Sequence, residues 1–175
     1  MKKVGLSKAY RLFYPSVPVI VACTDGGRVY AMPAVSVVSL SSDPALVGVS
    51  SSPSHATHGA ILRAGKFSLS WLGSGRVRAV EALGTTRATT KDKLRSAGLA
   101  HGKGKVLDVP VIEGSFAVME CSLAGREHFG DHELLVGKVV QARAAADFRG
   151  YWRFKEYKPI LYAGSPDGFT TYGKG

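Results

Sequence analysis

Short apolar, β-branched runs separated by turn residues dominate this chain. The first is Pro18-Val19-Ile20-Val21-Ala22-Cys23-Thr24, and Asp25-Gly26-Gly27 behind it is a tight hairpin signal. Residues 28–40 continue as a second strand, in which Pro33 marks an edge or a bulge because proline cannot donate to a ladder. Ala45-Leu46-Val47-Gly48-Val49-Ser50 is a buried-strand pattern, bounded upstream by Asp43-Pro44 and broken downstream at Ser51-Ser52-Pro53. A helix then begins near Ser54 or Thr57, turns its apolar side inward at Ile61 and Leu62, and closes at Gly65. Lys66-Phe67-Ser68-Leu69-Ser70-Trp71 alternates polar and apolar, which predicts a half-buried strand.

Residues 74–83 carry Val77, Val80 and Leu83 at helical spacing. The polar, Thr- and Lys-rich stretch 84–104 reads as an irregular excursion with a short helix at 92–97. Residues 115–121 and 133–144 are the last two long strands, with residues 125–132 between them as a turn rich in chemically able groups. The tail from Tyr162 is Gly-rich and aromatic, and no internal repeat or linker separates any part. At 175 residues the chain predicts a single domain, 1–175, large enough for its own core. About six strands that do not alternate regularly with helices predict a mainly β fold, a closed antiparallel barrel with short helical excursions. No Gly-x-Gly-x-x-Gly stands between a strand and a helix, so a doubly wound nucleotide fold is disfavoured.

Composition adds limits. An apolar fraction of 45% with 21% charged residues describes an ordinary globule, and no apolar run approaches the ~20 residues that span a bilayer. Met1-Lys2-Lys3 is not followed by a long apolar segment, so a cytoplasmic location is expected. Cys23 and Cys121 lack metal or redox spacing and read as buried free thiols, a bridge between them being conceivable only in a hyperthermophile's protein. The charge is strongly positive, 23 basic against 13 acidic residues. Such a field suits phosphorylated small molecules, nucleic acid or anionic membranes. The basic residues are scattered, however, and no nucleic-acid motif accompanies them, which leaves a basic nucleic-acid-binding barrel as the weaker alternative.

Two places carry candidate chemistry. The break after residue 50 aims backbone N–H groups and several hydroxyls at one helix N-terminus, an anion site whose natural guest is a phosphate monoester. His128 and His132 stand four apart beside Asp131 and Glu133, but Gly130 argues against the helix that would bring both imidazoles to one metal, so no metal site is expected.

Taken in order, several segments resemble the flavin reductase-like family of FMN-binding split barrels. They are Tyr14-Pro15 with Pro18-Val19, Arg28-Val29-Tyr30-Ala31-Met32-Pro33-Ala34, the stretch Val38-Ser39-Leu40-Ser41-Ser42-Asp43-Pro44-Ala45-Leu46-Val47, Ser54-His55-Ala56-Thr57-His58, Lys91-Asp92-Lys93-Leu94 with Gly98-Leu99, and Gly130-Asp131-His132-Glu133-Leu134-Leu135-Val136-Gly137. The resemblance covers nearly the whole chain and implies a split β-barrel, antiparallel and Greek-key-like, that binds FMN. It implies phosphate contacts from Ser54, Thr57 and His58, with Lys93 as a further, long-reaching cation. It implies a flavin ring lined by Tyr30, Met32, Ala34, Ser36 and the Val37-Val38-Ser39 turn, with Ser50 and Ser51 offering N–H groups to the pyrimidine edge. His132, on the Gly-Asp-His turn, is implied to face the open side of the flavin, where it orients the nicotinamide or tunes the ring.

The implied activity is that of an NAD(P)H:flavin reductase: hydride passes from nicotinamide to flavin N5, and electrons go on to free flavin, ferric iron or a protein. The alternative is a flavoredoxin-like electron carrier without NAD(P)H activity. A homodimer is expected, since apolar strands and an aromatic tail with Phe169 and Tyr172 leave surface to cover.

Overall fold

The structure, a computed structural model, describes residues 3–86, 90–164 and 168–171. Seven strands form one sheet in the order β2-β1-β5-β8-β9-β4-β3, every neighbour antiparallel. In chain order these are β1 (Val19–Asp25), β2 (Arg28–Ala34), β3 (Val37–Ser42), β4 (Ala45–Ser51), β5 (Lys66–Trp71), β8 (Ala117–Phe129) and β9 (His132–Ala144). Two short pairs, β6 (His101–Lys103) with β7 (Pro110–Ile112) and β10 (Ile160–Tyr162) with β11 (Phe169–Thr171), stand apart from it. The edge strands β2 and β3 are consecutive in the chain and joined only by Val35-Ser36, so one end of the sheet must curl back on itself. The result is a barrel split between β2 and β3.

This corrects one expectation. The apolar pattern of residues 28–40 runs through the strand break, but Val35-Ser36 turns the chain from one edge of the sheet to the other. Where turns are tight, the residues dictate them. Gly26 and Gly27 both take positive φ (54° and 72°), as a two-residue hairpin turn requires.

Alternate residues of each strand fill the barrel: Val19, Val21 and Cys23 from β1, Val47 and Val49 from β4, Phe67 and Leu69 from β5, Cys121 from β8 and Leu135 from β9. Gly137 is needed there, because a Cβ at that position would lie 2.5 Å from Cζ of Phe67. Helix α1 (Ala56–Ala64) adds Ala60 and Ile61 to this core and ends on Gly65 in the left-handed region (φ 65°). On the other face of β1, Ile20 and Ala22 meet Val80 and Leu83 of α2 (Val77–Thr85) and Leu94 of α3 (Lys93–Ser96) in a second core. That second layer also explains why β5 is buried at residues 67–70 on both faces rather than half-buried. Ser68 accepts a place inside because its hydroxyl donates to the carbonyls of Pro110 and Ala22.

Strands β8 and β9 are 13 residues each, and only Gly130-Asp131 turns between them. Residues 125–129, expected in the turn, are therefore strand, and His128 pairs with Glu133 across the ladder. Residues 74–83 begin with a 3₁₀ turn, Ser74–Arg76, before α2. A 3₁₀ helix at Leu6–Phe13 has no counterpart in the sequence reading. Cys23 and Cys121 are both free and buried on strands separated by β5, and burial pushes each thiol up to about 12. Of the aromatic tail, Phe169 packs against the second core and lies 5.1 Å from Tyr162, so it covers its own barrel, while Tyr172 lies outside the described residues. Among the described residues no helix is long and apolar enough to cross a membrane.

Candidate functional site

A cleft of about 640 Å³ opens where β2, the end of β4, α1 and the β8–β9 turn converge. Met32, Pro33 and Ala34 of β2, with Val35 and Ser36 after it, form one wall. Ser50 and Ser51 end β4 on the floor, His55 stands at the entry to α1, and Asp131 and His132 close the far side. Ser7, Tyr10 and Tyr14 from the N-terminal 3₁₀ segment cover it.

Helix α1 starts without a side-chain cap: its N-cap is His55, in extended conformation, and no side chain accepts from the first turn. The free N–H groups of that turn carry the positive end of the helix dipole. Thr57 and His58 sit in this turn and are both buried. The Thr57 hydroxyl has no partner among the described residues. His58 turns away toward β9, with Nε2 3.0 Å from Oε2 of Glu133, while its buried Nδ1 has no partner. Arg126 also reaches Glu133, at 3.4 Å. Lys93 begins α3, which is held to β2 by the Val29–Asp92 bridge and by the Val29 N–H donating to the Lys91 carbonyl (3.0 Å). Burial draws the Lys93 ammonium below the ordinary lysine range.

His55 Nδ1 lies 3.4 Å from Oγ of Ser51, which itself touches Sδ of Met32 at 4.0 Å. Burial, and then the charges of His132, His58 and Lys93, hold the His55 imidazole below its usual range. His132 Nδ1 bonds Oδ1 of Asp131 at 2.7 Å, and that bond holds the Asp131 carboxyl below the usual carboxylate range.

Of the expected residues, Met32, Ala34, Ser36, Ser50, Ser51 and His132 line this cleft together. Others do not. Val37, Val38 and Ser39 are strand rather than turn and line a neighbouring apolar groove of about 430 Å³ that meets the cleft at Val35. Tyr30 is outside the cleft, packed on the barrel core with the Arg28 guanidinium 5.8 Å from its ring. Ser54 is exposed one residue before the N-cap, its hydroxyl 2.8 Å from that of Ser52, so it does not cap α1. The Ser50 N–H already donates to the Ser36 carbonyl at 2.9 Å, which removes it as a free donor. The side chain of His58 is engaged by Glu133 rather than open to a ligand at Nε2.

Residues 10–163 match the family model described as the flavin reductase-like domain. The chain belongs to that family. A protein of Aeropyrum pernix without a described function is 31% identical over 94% of this chain, which spans 63% of that relative's length. An NADH:riboflavin 5'-phosphate oxidoreductase of Streptomyces pristinaespiralis is 32% identical over 73% of this chain and 69% of its own. The crystal structure of an FMN-binding protein from Thermus thermophilus with bound p-hydroxybenzaldehyde superposes with a TM-score of 0.84 at 31% identity, covering 100% of this chain and 96% of the other. Within this flavin reductase-like chain, sequence reasoning missed His55, Pro33, Val35, Asp131 and the Ser7-Tyr10-Tyr14 cover as parts of the cleft. His55 had a usable signal, since it stands between the two residues named as the helix start. The 3₁₀ segment carried one too, since Leu6, Ala9, Tyr10 and Phe13 recur at helical spacing, although none of its residues is buried.

Proposed function

We propose that this chain is an FMN-binding oxidoreductase of the NAD(P)H:flavin reductase type, a single cytoplasmic split-barrel domain that works as a homodimer. The observation that carries the reading is the uncapped N-terminus of α1 at one end of a cleft of about 640 Å³, within the ~300–1,000 Å³ range of cofactor sites. The donor set fits a flavin phosphate: free helix N–H groups, the unpartnered Thr57 hydroxyl, and the charge of Lys93 nearby. The apolar wall of Met32, Pro33, Ala34 and Val35 fits the flat ring, and Ser51 lies at its polar edge. The Thermus relative of 31% identity, an FMN-binding protein, supports the choice of FMN.

FMN, when bound, supplies a ring that takes a hydride at N5 and passes the electrons on. The chain's part is to hold the nicotinamide donor carbon ~3–3.5 Å from that atom and to keep water out. His132, fixed in orientation by Asp131 and 43% exposed at the cleft rim, is assigned the nicotinamide side. Tyr10 and Tyr14 add aromatic surface to the lining of the same cleft. The apolar groove that meets the cleft at Val35, together with exposed Val38 and Leu40 on β3 and Val140 on β9, supports burial of this face against a second copy. Electrons leave to free flavin, ferric iron or a protein.

Anaerobic titration of the purified flavoprotein with NADH and NADPH tests the reading. Bleaching of the flavin bands by either nucleotide is the expected result. A yellow protein that neither nucleotide bleaches is instead a flavoredoxin-like carrier.

A further inference from the structure

We propose that His55 is a phosphate ligand that takes up one proton from solvent when a phosphate monoester binds at the entry to α1, so that mildly acid solution tightens the hold on phosphorylated flavin. The inference rests on the FMN reading above and adds to it the residue that couples cofactor retention to pH.

Among the described residues at that entry, His55 is an imidazole with a ring nitrogen left open to a new charge. It is the N-cap of α1, it lines the cleft, and it is exposed. Among the described residues the only hydrogen bond of its ring is the long 3.4 Å contact of Nδ1 with the Ser51 hydroxyl, which leaves Nε2 free for a ligand. The groups that act on it are basic: Lys93 from α3, His132 from β9, and His58 one helical turn on. Both nearby carboxylates are engaged elsewhere. Asp131 holds His132 at 2.7 Å, and Glu133 holds His58 at 3.0 Å and Arg126 at 3.4 Å. Tyr14, which also lines the cleft, is held above the ordinary tyrosine range, chiefly by burial, and brings no charge at physiological pH. Burial first, and then basic neighbours with no counter-ion, hold the His55 imidazole below its usual range in the empty cleft.

A phosphate monoester carries close to two negative charges at pH 7, with a second ionisation near ~6. Placed against the free N–H groups of α1, it reverses the sign of the field at His55 and favours the imidazolium, which then donates to a phosphate oxygen. The buried Thr57 hydroxyl in the same turn, without a partner among the described residues, is a second sign that this end of the helix is built around a polar guest. Affinity for FMN therefore rises as pH falls toward ~6, and flattens below that as the phosphate itself protonates. Riboflavin has no phosphate and gives His55 nothing to answer.

Isothermal titration of the whole apoprotein with FMN and with riboflavin, at pH 7.5 in two buffers of different ionisation enthalpy, reads the proton directly. We expect net proton uptake with FMN, none with riboflavin, and FMN affinity higher by roughly three- to tenfold at pH 6.5 than at pH 8. In His55→Gln, which keeps a donor for Ser51 but cannot titrate, the uptake and the pH slope vanish while FMN still binds. His55→Asn, a strong N-cap that secures the helix, gives the same result. Uptake and slope unchanged in both variants overturn the role of His55. Equal affinity for FMN and riboflavin overturns the phosphate reading beneath it, which is a distinct outcome.

Discussion

Removing Glu133 tests how the site is braced. Its Oε2 lies 3.0 Å from Nε2 of His58, and the two side chains are 15% and 2% exposed, so the pair ties α1 to the strand that begins with His132. In Glu133→Ala the buried imidazole loses its partner. An orphaned neutral donor costs ~1–3 kcal/mol and an uncompensated buried charge ~3–5 kcal/mol. The Arg126 contact, 56% exposed on the arginine side, adds ~0–1 kcal/mol at most. Together these predict a loss of about 2–4 kcal/mol, which for a chain of this size lowers Tm by roughly 5–15 °C. The assay is urea unfolding of Glu133→Ala, His58→Ala and the double variant, closed as a thermodynamic cycle. We expect a coupling of about 1–3 kcal/mol. Additivity within ~0.5 kcal/mol would refute the claim that this pair braces the helix against the hairpin.

Other outcomes follow from the same structure. Glu120 is fully buried, and burial alone would raise its carboxyl, yet N–H donors from Lys105, Val106 and Leu107, each at 2.8 Å, and Arg143 at 3.3 Å hold it below the usual range. Its stabilisation is therefore complete above the unfolded carboxyl value of ~4.3 and lost as pH falls through the depressed folded value; Glu120→Gln should lose roughly 2–4 kcal/mol at pH 7 and show a shallower acid slope in urea unfolding. Gly137→Ala places a methyl group 2.5 Å from Cζ of Phe67 and 3.1 Å from Cβ of Cys121, and differential scanning calorimetry should show an overpacking cost of about 1–3 kcal/mol. His132→Ala should keep its flavin while stopped-flow reduction by NAD(P)H slows by less than ~10²-fold, since hydride transfer takes no proton from the protein. A variant that loses flavin and melts lower would make His132 a brace of the turn instead.

The barrel was legible because each strand carries local signals: β-branched runs, the Gly26-Gly27 turn, and the Gly65 stop of α1. Two features escaped for physical reasons. The apolar pattern does not distinguish strand from edge crossing, so it runs straight through Val35-Ser36; the family resemblance, for its part, implies a ring-lining turn at Val37, Val38 and Ser39, which are strand and line the adjoining groove. The alternation of Lys66–Trp71 implied one wet face, but Ser68 and Ser70 are small enough to be buried under a second layer that periodicity alone does not show. At the site, residues close in sequence to the helix start were found, whereas orientation was not readable: the Glu133 partner of His58 lies 75 residues away. Tyr10 and Tyr14 reach the cleft from a segment held by few contacts, among them Arg11 to the Gly164 carbonyl at 2.8 Å.

The central claim is that the entry to α1 holds a flavin phosphate. Affinities of the apoprotein for FMN and riboflavin, measured side by side by quenching of flavin fluorescence, test it most directly. Two charge-assisted hydrogen bonds at ~1.5–3 kcal/mol each predict FMN binding tighter by roughly a hundredfold or more, and Thr57→Ala narrowing that gap. Equal affinity for the two flavins would contradict the account.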